Sequence, residues 1–206
     1  GHALLVAGSE GKIGAAVLAA SACMRSGVGK LTVHLPADSV SILHTVLPEA
    51  MTEADASDKA LTAIPLKQNY QALCIGPGIG TNDEASGALK LLIQNYSGPL
   101  VLDADALKNV PKTLAQRWFK ANEDGSVIID EQLRKEATFR WLNLVDPFPS
   151  FRRPFHVIFC RNVMLYFEED AARALQQQVR EGYFTRGAQR HLLCQKGLSE
   201  FACCFQ

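Results

Sequence analysis

The chain has no surplus of charge of either sign: Lys plus Arg number 21 and Asp plus Glu number 21 among 206 residues. A balanced chain carries no global field toward nucleic acid or an anionic membrane, and neither is expected as a partner. There is no C-x-x-C pair among the six cysteines Cys23, Cys74, Cys160, Cys194, Cys203 and Cys204. The vicinal pair at the end suits neither a disulfide framework nor a zinc site. Several cysteines lie inside apolar runs, where a thiol behaves as a small hydrophobe, so a reducing cytoplasm is the expected compartment. No apolar run approaches the roughly 20 residues of a membrane span, no signal peptide precedes the first apolar run, and no internal repeat recurs. His2, His44, His156 and His191 share no metal-binding spacing, and His34 reads as a core or face residue of a strand. No metal is expected beyond Mg²⁺ accompanying a nucleotide. With 48% apolar and 20% charged residues the composition is that of an ordinary folded chain, long enough for one large or two small domains. It starts at Gly1, without Met and directly before a strand, as expected of a piece of a longer chain.

The first hundred residues alternate strand and helix signals. His2 to Ala7 is an apolar run broken at Gly8; Ile13 to Ser26 is a helix rich in Ala and Leu, stopped by Gly27; Lys30 to Leu35 is a second strand ended by Pro36. This βαβ unit predicts a parallel sheet. Asp38 is placed to cap a short helix toward His44, closed by Leu47-Pro48-Glu49, and Asp55 to Lys59 reads as a polar loop. A third strand, Ala72 to Ile75, runs into Gly76-Pro77-Gly78-Ile79-Gly80. Asn82 or Asp83 caps a helix through Tyr96, and Pro99 to Leu102 leads to Asp103-Ala104-Asp105. Strand after strand delivers a glycine loop or an acidic residue at its carboxyl end, where open α/β sheets bind ligands. Beyond Leu107 the expected elements are a helix over Lys112 to Lys120, an edge strand over Gly125 to Ile129, strands over Phe139 to Leu144 and His156 to Cys160, and a helix over Glu168 to Arg180. Arg190 to Gln206 shows no convincing element. The fold class expected is α/β: a Rossmann-like three-layer arrangement with a mostly parallel sheet assembled from two half-domains.

The turn Gly8-Ser9-Glu10-Gly11-Lys12-Ile13-Gly14 spaces its glycines as G-x-x-G-x-x-G, not as the G-x-G-x-x-G of a dinucleotide fingerprint. Tight-turn packing and phosphate contact both suit it. In order along the chain stand HALLVAGSEGKIGAAVLAASACMRSGVG (His2 to Gly29), Leu47-Pro48-Glu49-Ala50-Met51, IGPGIG (Ile75 to Gly80) and LDADAL (Leu102 to Leu107). Together they closely resemble the N-terminal half of the ADP/ATP-dependent NAD(P)H-hydrate dehydratases, a branch of the ribokinase-like superfamily, over about residues 1 to 107. The resemblance implies repair of hydrated nicotinamide cofactors, in which a nucleotide phosphorylates the hydrate's hydroxyl and elimination restores the ring. It implies ADP or ATP with Mg²⁺ as cofactor, Ala15, Gly76, Gly78 and Gly80 lining the hydrate site, and Asp103 and Asp105 on the cleft floor. The family usually has Asn after D-A-D-A-L, where this chain has Lys108. Its later T-P-H-x-G-E segment and G-T-G-D loop, which supplies the phosphoryl anion hole and the base, are not among these 206 residues. No dehydratase turnover is therefore expected from this chain alone.

Residues 108 to 187 carry other motifs: Asn109-Val110-Pro111, Trp118-Phe119, Phe139-Arg140, Asn143-Leu144 and FHVIFCRNVMLYF (Phe155 to Phe167). They resemble the C-terminal half of the chemotaxis receptor glutamate O-methyltransferases, which use S-adenosylmethionine. By resemblance Asn143, Leu144, Arg161 and Asn162 contact that cofactor, and Tyr166 lies near the methyl or the incoming glutamate. From the residues alone, Arg161 and Asn162 could equally satisfy loop carbonyls, and Tyr166-Phe167 could be core aromatics. The family's first strand and its glycine loop for the methionine end are not in this chain, and the resemblance ends at about Ala188, leaving 188–206 unassigned. Leu102-Asp103-Ala104-Asp105 matches a strand-and-acid position in both families, so one continuous parallel sheet across the two segments is a further expectation. Three readings stand: a remnant lyase of the hydrate-repair lineage, a methyltransferase-like protein, and a non-catalytic chimeric α/β scaffold that binds small-molecule nucleotides weakly or not at all. Oligomeric state is not legible.

Overall fold

Alternation along the first strand organises one unit of the computed structural model. β1 (His2–Val6) sends Leu4 and Val6 to one face and Leu5, followed by Ala7, to the other. The residues described are all but 67–69, 112–115, 117, 118, 125, 150, 152–154, 156, 162, 183–189, 197, 198 and 206. Around β1, five strands form a wholly parallel sheet in the order β3-β2-β1-β4-β5, with β2 at Lys30–Leu35, β3 at Met51–Ala54, β4 at Ala72–Ile75 and β5 at Leu100–Leu102. The helices α1 (Ile13–Arg25) and α2 (Val40–Val46) cover one face, where Ala16, Ala20 and Leu43 meet Leu5, Leu31, Val33 and Leu35. On the other face α3 (Asp83–Asn95) packs Ala85, Ala88, Leu89 and Leu92 against Leu4, Val6, Leu73 and Ile75. The three layers expected from the sequence are thus present, and β1 and β4 are apolar on both faces because both are covered.

The chain fills β1, β2 and β3 outward on one side, then returns to place β4 on the other side of β1. Winding reverses between β1 and β4, and the carboxyl ends of these two strands open the crevice where doubly wound sheets bind ligands. α4 (Asp105–Asn109) follows β5. A two-stranded antiparallel hairpin, β6 (Phe119–Ala121) and β7 (Val127–Ile129), comes next, then α5 (Glu131–Glu136), capped by Asp130.

The backbone divides into two compact units, 1–24 with 28–138 and 25–27 with 139–206. The second contains β8 (Val157–Arg161), a 3₁₀ turn at Met164–Tyr166, α6 (Glu169–Gly182), β9 (Arg190–Lys196) and β10 (Ser199–Phe205). Its sheet runs β10-β9-β8, parallel at β8-β9 and antiparallel at β9-β10. Among its described residues Met164, Leu175 and Val179 form a buried cluster, with Leu144, Phe148, Ile158, Cys160 and Phe167 packed against them, and Ala172 is buried as well.

Several expectations are corrected. The strands fall into three sheets instead of one continuous sheet, because β8 pairs with β9 and not with β5. Asp38 caps no helix; it sits inside a 3₁₀ turn, Ala37–Ser39, and Ser39 precedes α2 without a side-chain cap bond. No strand forms at Phe139 to Leu144, where Phe139 and Trp141 are more than nine-tenths exposed and find no partner strand. The helix expected over Lys112 to Lys120 lies mostly outside the described residues, and its last two positions belong to β6. The tail, read as structureless, forms the β9-β10 hairpin. β3 escaped notice because its four residues, MTEA, are polar in part and only half covered at the sheet edge.

Candidate functional site

The turn after β1 and the glycine loop after β4 are bound to each other across the crevice. The Gly8 N–H donates to the Pro77 carbonyl at 2.8 Å, and the Ser9 hydroxyl donates to the Gly78 carbonyl at 2.6 Å from a buried position. Two glycines are dictated by this closeness. Gly76, at φ +141°, lies so near the Asp103 carbonyl that any Cβ would overlap it. Gly78, at φ +71°, would bring a Cβ within 2.9 Å of the Lys12 carbonyl and 3.1 Å of the Ala15 Cβ. Ala15, in the first turn of α1, is therefore in contact range of the glycine loop. Gly80 has open space around it and is glycine for its φ of +81°.

Asp105 begins α4 and ties the loop down. Its Oδ2 accepts from the Gly80 N–H at 3.1 Å and from the Lys12 ammonium at 3.2 Å, while Oδ1 accepts from the Lys108 ammonium at 3.2 Å. The Lys108 hydrogen bond, helped by Lys12 and the Gly80 N–H against partial burial, holds the Asp105 carboxyl below the ordinary range. At the other end of the same helix Asn109 is buried; its amide donates to the Gly80 carbonyl at 2.8 Å, and its side-chain oxygen accepts from Ser86 of α3 at 2.7 Å. Both polar groups of Gly80 are thus held from opposite ends of α4. Ala104, just before it, takes a positive φ of 49°, an unusual conformation for a residue with a Cβ. Asp103 follows β5 with its side chain exposed, while its N–H donates to Ile75 O.

The structure therefore brings Ala15, Gly76, Gly78, Gly80 and Asp105 to one place, with Asp103 at its edge. Sequence reasoning missed Ser9, Lys12 and Asn109. The first two stood inside the G-S-E-G-K turn and were legible as polar groups facing a loop. Asn109 was read only as part of the second segment's N-V-P motif, and nothing in its neighbours points back to Gly80.

Beneath β2, His34 donates or accepts through Nε2 with Asp55 Oδ2 at 2.9 Å, both side chains almost fully buried. Burial pushes Asp55 up, but bonds from the Thr62 hydroxyl, the Thr62 and Ser57 N–H groups and His34 outweigh it and hold the carboxyl at about 2. The supposed polar loop at Asp55 to Lys59 is thus anchored from inside by its first residue. On β4 the Cys74 thiol is pushed up to about 11 by burial and by the nearby Asp103 and Cys23.

In the second unit Asn143 is exposed and closes a local turn: its amide donates to Asp146 at 2.8 Å and its oxygen accepts from the Val145 N–H at 3.3 Å. Leu144 lines a cavity of about 380 Å³ with Phe148, Ile158, Cys160, Met164 and Leu175 among its apolar walls. Tyr166 is 79% exposed. Arg161 closes β8, and Asn162 lies outside the described residues. Among the described residues no group of acidic, Cys and His side chains could hold a metal ion, and no helix is long and apolar enough to cross a membrane.

Comparison with known proteins divides the chain in a similar way. Residues 3–129 match the family model of the NAD(P)H-hydrate dehydratases, and residues 95–190 match that of the CheR methyltransferase SAM binding domain. An ADP-dependent (S)-NAD(P)H-hydrate dehydratase of Bacillus subtilis is 39% identical over 107 residues, which are 52% of this chain and 38% of the relative. A chemotaxis protein methyltransferase of Borreliella burgdorferi is 33% identical over 81 residues, 39% of this chain and 29% of its own. A solved ADP/ATP-dependent NAD(P)H-hydrate dehydratase of B. subtilis, co-crystallised with ATP/Mg²⁺, aligns at 22% identity with a TM-score of 0.45, covering 95% of this chain and 59% of its own. The chain thus spans well under half the length of the curated relatives it matches.

Proposed function

The chain belongs to the NAD(P)H-hydrate dehydratase family, and from that premise we propose that the crevice between β1 and β4 is a binding half-site for a hydrated nicotinamide cofactor. The observation that carries this reading is the locked glycine loop: Ser9 on Gly78, and Asp105 and Asn109 on the two polar groups of Gly80. A loop fixed at a switch point by bonds from three side chains offers a preformed cradle, which lowers the ordering cost of binding. Ala15, Gly76, Gly78 and Gly80 would line it, with Asp103 and Asp105 on its floor.

ADP or ATP with Mg²⁺ fits the residues present less well. Both Asp105 oxygens already accept from ammonium groups, so this carboxylate is a poor ligand for a divalent cation, and no step is assigned through one. The glycine loop and base of phosphoryl transfer are not among these residues, so the reading is binding without turnover: hydrated NADH plus ADP or ATP should give no restoration of cofactor absorbance with this chain alone.

The match of residues 95–190 to a SAM binding domain favours a second reading, that the second unit descends from a methyltransferase. Its described residues do not suit the ligand. Asn143 spends its amide on Asp146 and Val145, and the cavity beside Leu144 has apolar walls, whereas adenosylmethionine brings a sulfonium, an ammonium and a carboxylate that all need partners. No methyl-transfer step is derived.

Thermal unfolding with hydrated NADH, ADP or adenosylmethionine tests both readings. A ligand present at about 100 times its dissociation constant stabilises by about 2.7 kcal/mol. Hydrated NADH should raise the midpoint, and Gly78→Val, whose side chain would intrude on Lys12 and Ala15, should abolish the shift. A midpoint that hydrated NADH leaves unmoved would sink the half-site.

A further inference from the structure

Lys108 lies three residues after Asp105 on α4, and its ammonium holds one oxygen of that carboxylate at 3.2 Å. Asp105 is only 13% exposed at its side chain, while Lys12 and Lys108 are 52% and 71% exposed. The carboxylate therefore lies inside and the two ammoniums outside, on opposite oxygens. A ligand entering from solvent meets the lysines first. Each ammonium carries three N–H donors, of which the bond to Asp105 uses one, leaving donors for an incoming anion.

The local charge count turns on this one residue. On the crevice loops Lys12 and Lys108 balance Asp103 and Asp105, while the exposed Lys59 faces Glu10 at 2.8 Å with Asp38 and Asp58 nearby. With Asn at 108 the same loops would hold a net negative charge, which opposes a pyrophosphate-bearing ligand and invites a divalent cation to the freed Asp105 oxygen. We propose that Lys108 is a specificity-determining residue of this crevice: together with Lys12 it closes Asp105 on both sides, so that the crevice takes a phosphate-bearing dinucleotide directly, without a divalent cation at that carboxylate. This rests on the half-site reading above.

Calorimetric titration of hydrated NADPH into the full chain, with EDTA or with Mg²⁺, tests it. Lys108→Asn should weaken binding by about three- to tenfold at low ionic strength, the scale of one charge-assisted contact. The deficit should shrink between about 0.01 and about 0.15 M salt, as the screening length falls from about 30 to about 8 Å. Lys108→Arg should restore affinity, which a merely structural role of the lysine stem does not require. EDTA should leave the native chain's affinity unchanged, while Lys108→Asn should gain affinity on adding Mg²⁺. Equal affinity of the native and Asn chains, or a Mg²⁺ requirement in the native chain, overturns the role of Lys108 and leaves the half-site standing. Absence of binding by every variant overturns both.

Discussion

Asp55 shows how much a single buried carboxylate can carry. It accepts from Thr62, Ser57 and His34 while almost wholly removed from water, and its carboxyl is held at about 2 against an unfolded value near 3.9. A depressed acid stabilises the fold above its unfolded value and loses that contribution as pH falls through the folded one. The native chain should therefore lose about 2 kcal/mol from this site between about pH 5 and pH 2. Asp55→Asn should flatten that part of the profile in urea unfolding at a series of pH values; an unchanged acid limb would show that Asp55 is not its source. From sequence this residue was legible only as the start of a polar loop. Its burial depends on β2 turning Thr32 and His34 toward the side of the sheet opposite Leu31, Val33 and Leu35, a placement no local pattern around residue 55 contains.

At the scale of elements, α3 shows local chemistry at its most readable. Asn82 stands in extended conformation before the helix and its side chain accepts from the Ala85 N–H at 3.0 Å, satisfying one of the donors that every helix N-terminus leaves open. Asn82→Ala should cost about 1 kcal/mol in chemical denaturation, whereas Asp83→Ala, one position inside, should cost less. The sequence left these two residues as alternatives, and the backbone angle decides between them. The parallel strands β1 and β4 were equally legible as apolar runs covered on both faces, and β2 as Leu31, Val33 and Leu35 alternating with Thr32 and His34. Phe139 to Leu144 misled for the opposite reason: its aromatic and aliphatic residues suit a strand, but a strand needs a partner, and Asn143 instead closes a turn with Val145 and Asp146. In the tail, β9 and β10 are each other's principal partner, and seven-residue strands such as SEFACCF have no strict alternation to betray them.

On the scale of the whole molecule, the two units are unequal in what secures them. The first has two buried clusters, one on each face of its sheet; the second, among its described residues, has one small cluster of Met164, Leu175 and Val179 beside an apolar cavity of about 380 Å³. Limited proteolysis should therefore cut the second unit first and leave a resistant core from the first, because opening a region costs less where fewer apolar contacts hold it. Adenosylmethionine should not slow that cleavage; protection by it would restore the methyltransferase reading. The α/β class and the cofactor-repair kinship were readable from order and spacing of motifs. The separation into three sheets was not, because which edge a strand joins is settled by packing over the whole chain and not by the strand's own composition.

The five-residue helix α4 lies where the two family matches overlap, within residues 95–129. Asp105 at its start grips the N–H of Gly80, and Asn109 at its end grips the carbonyl. A single turn of helix thus acts as the two jaws of one clamp on the glycine loop. Grafting a different segment after Leu107 would leave every glycine and acidic motif before it in place and still release one jaw. The shape of the crevice depends on residues that lie beyond the last of those motifs.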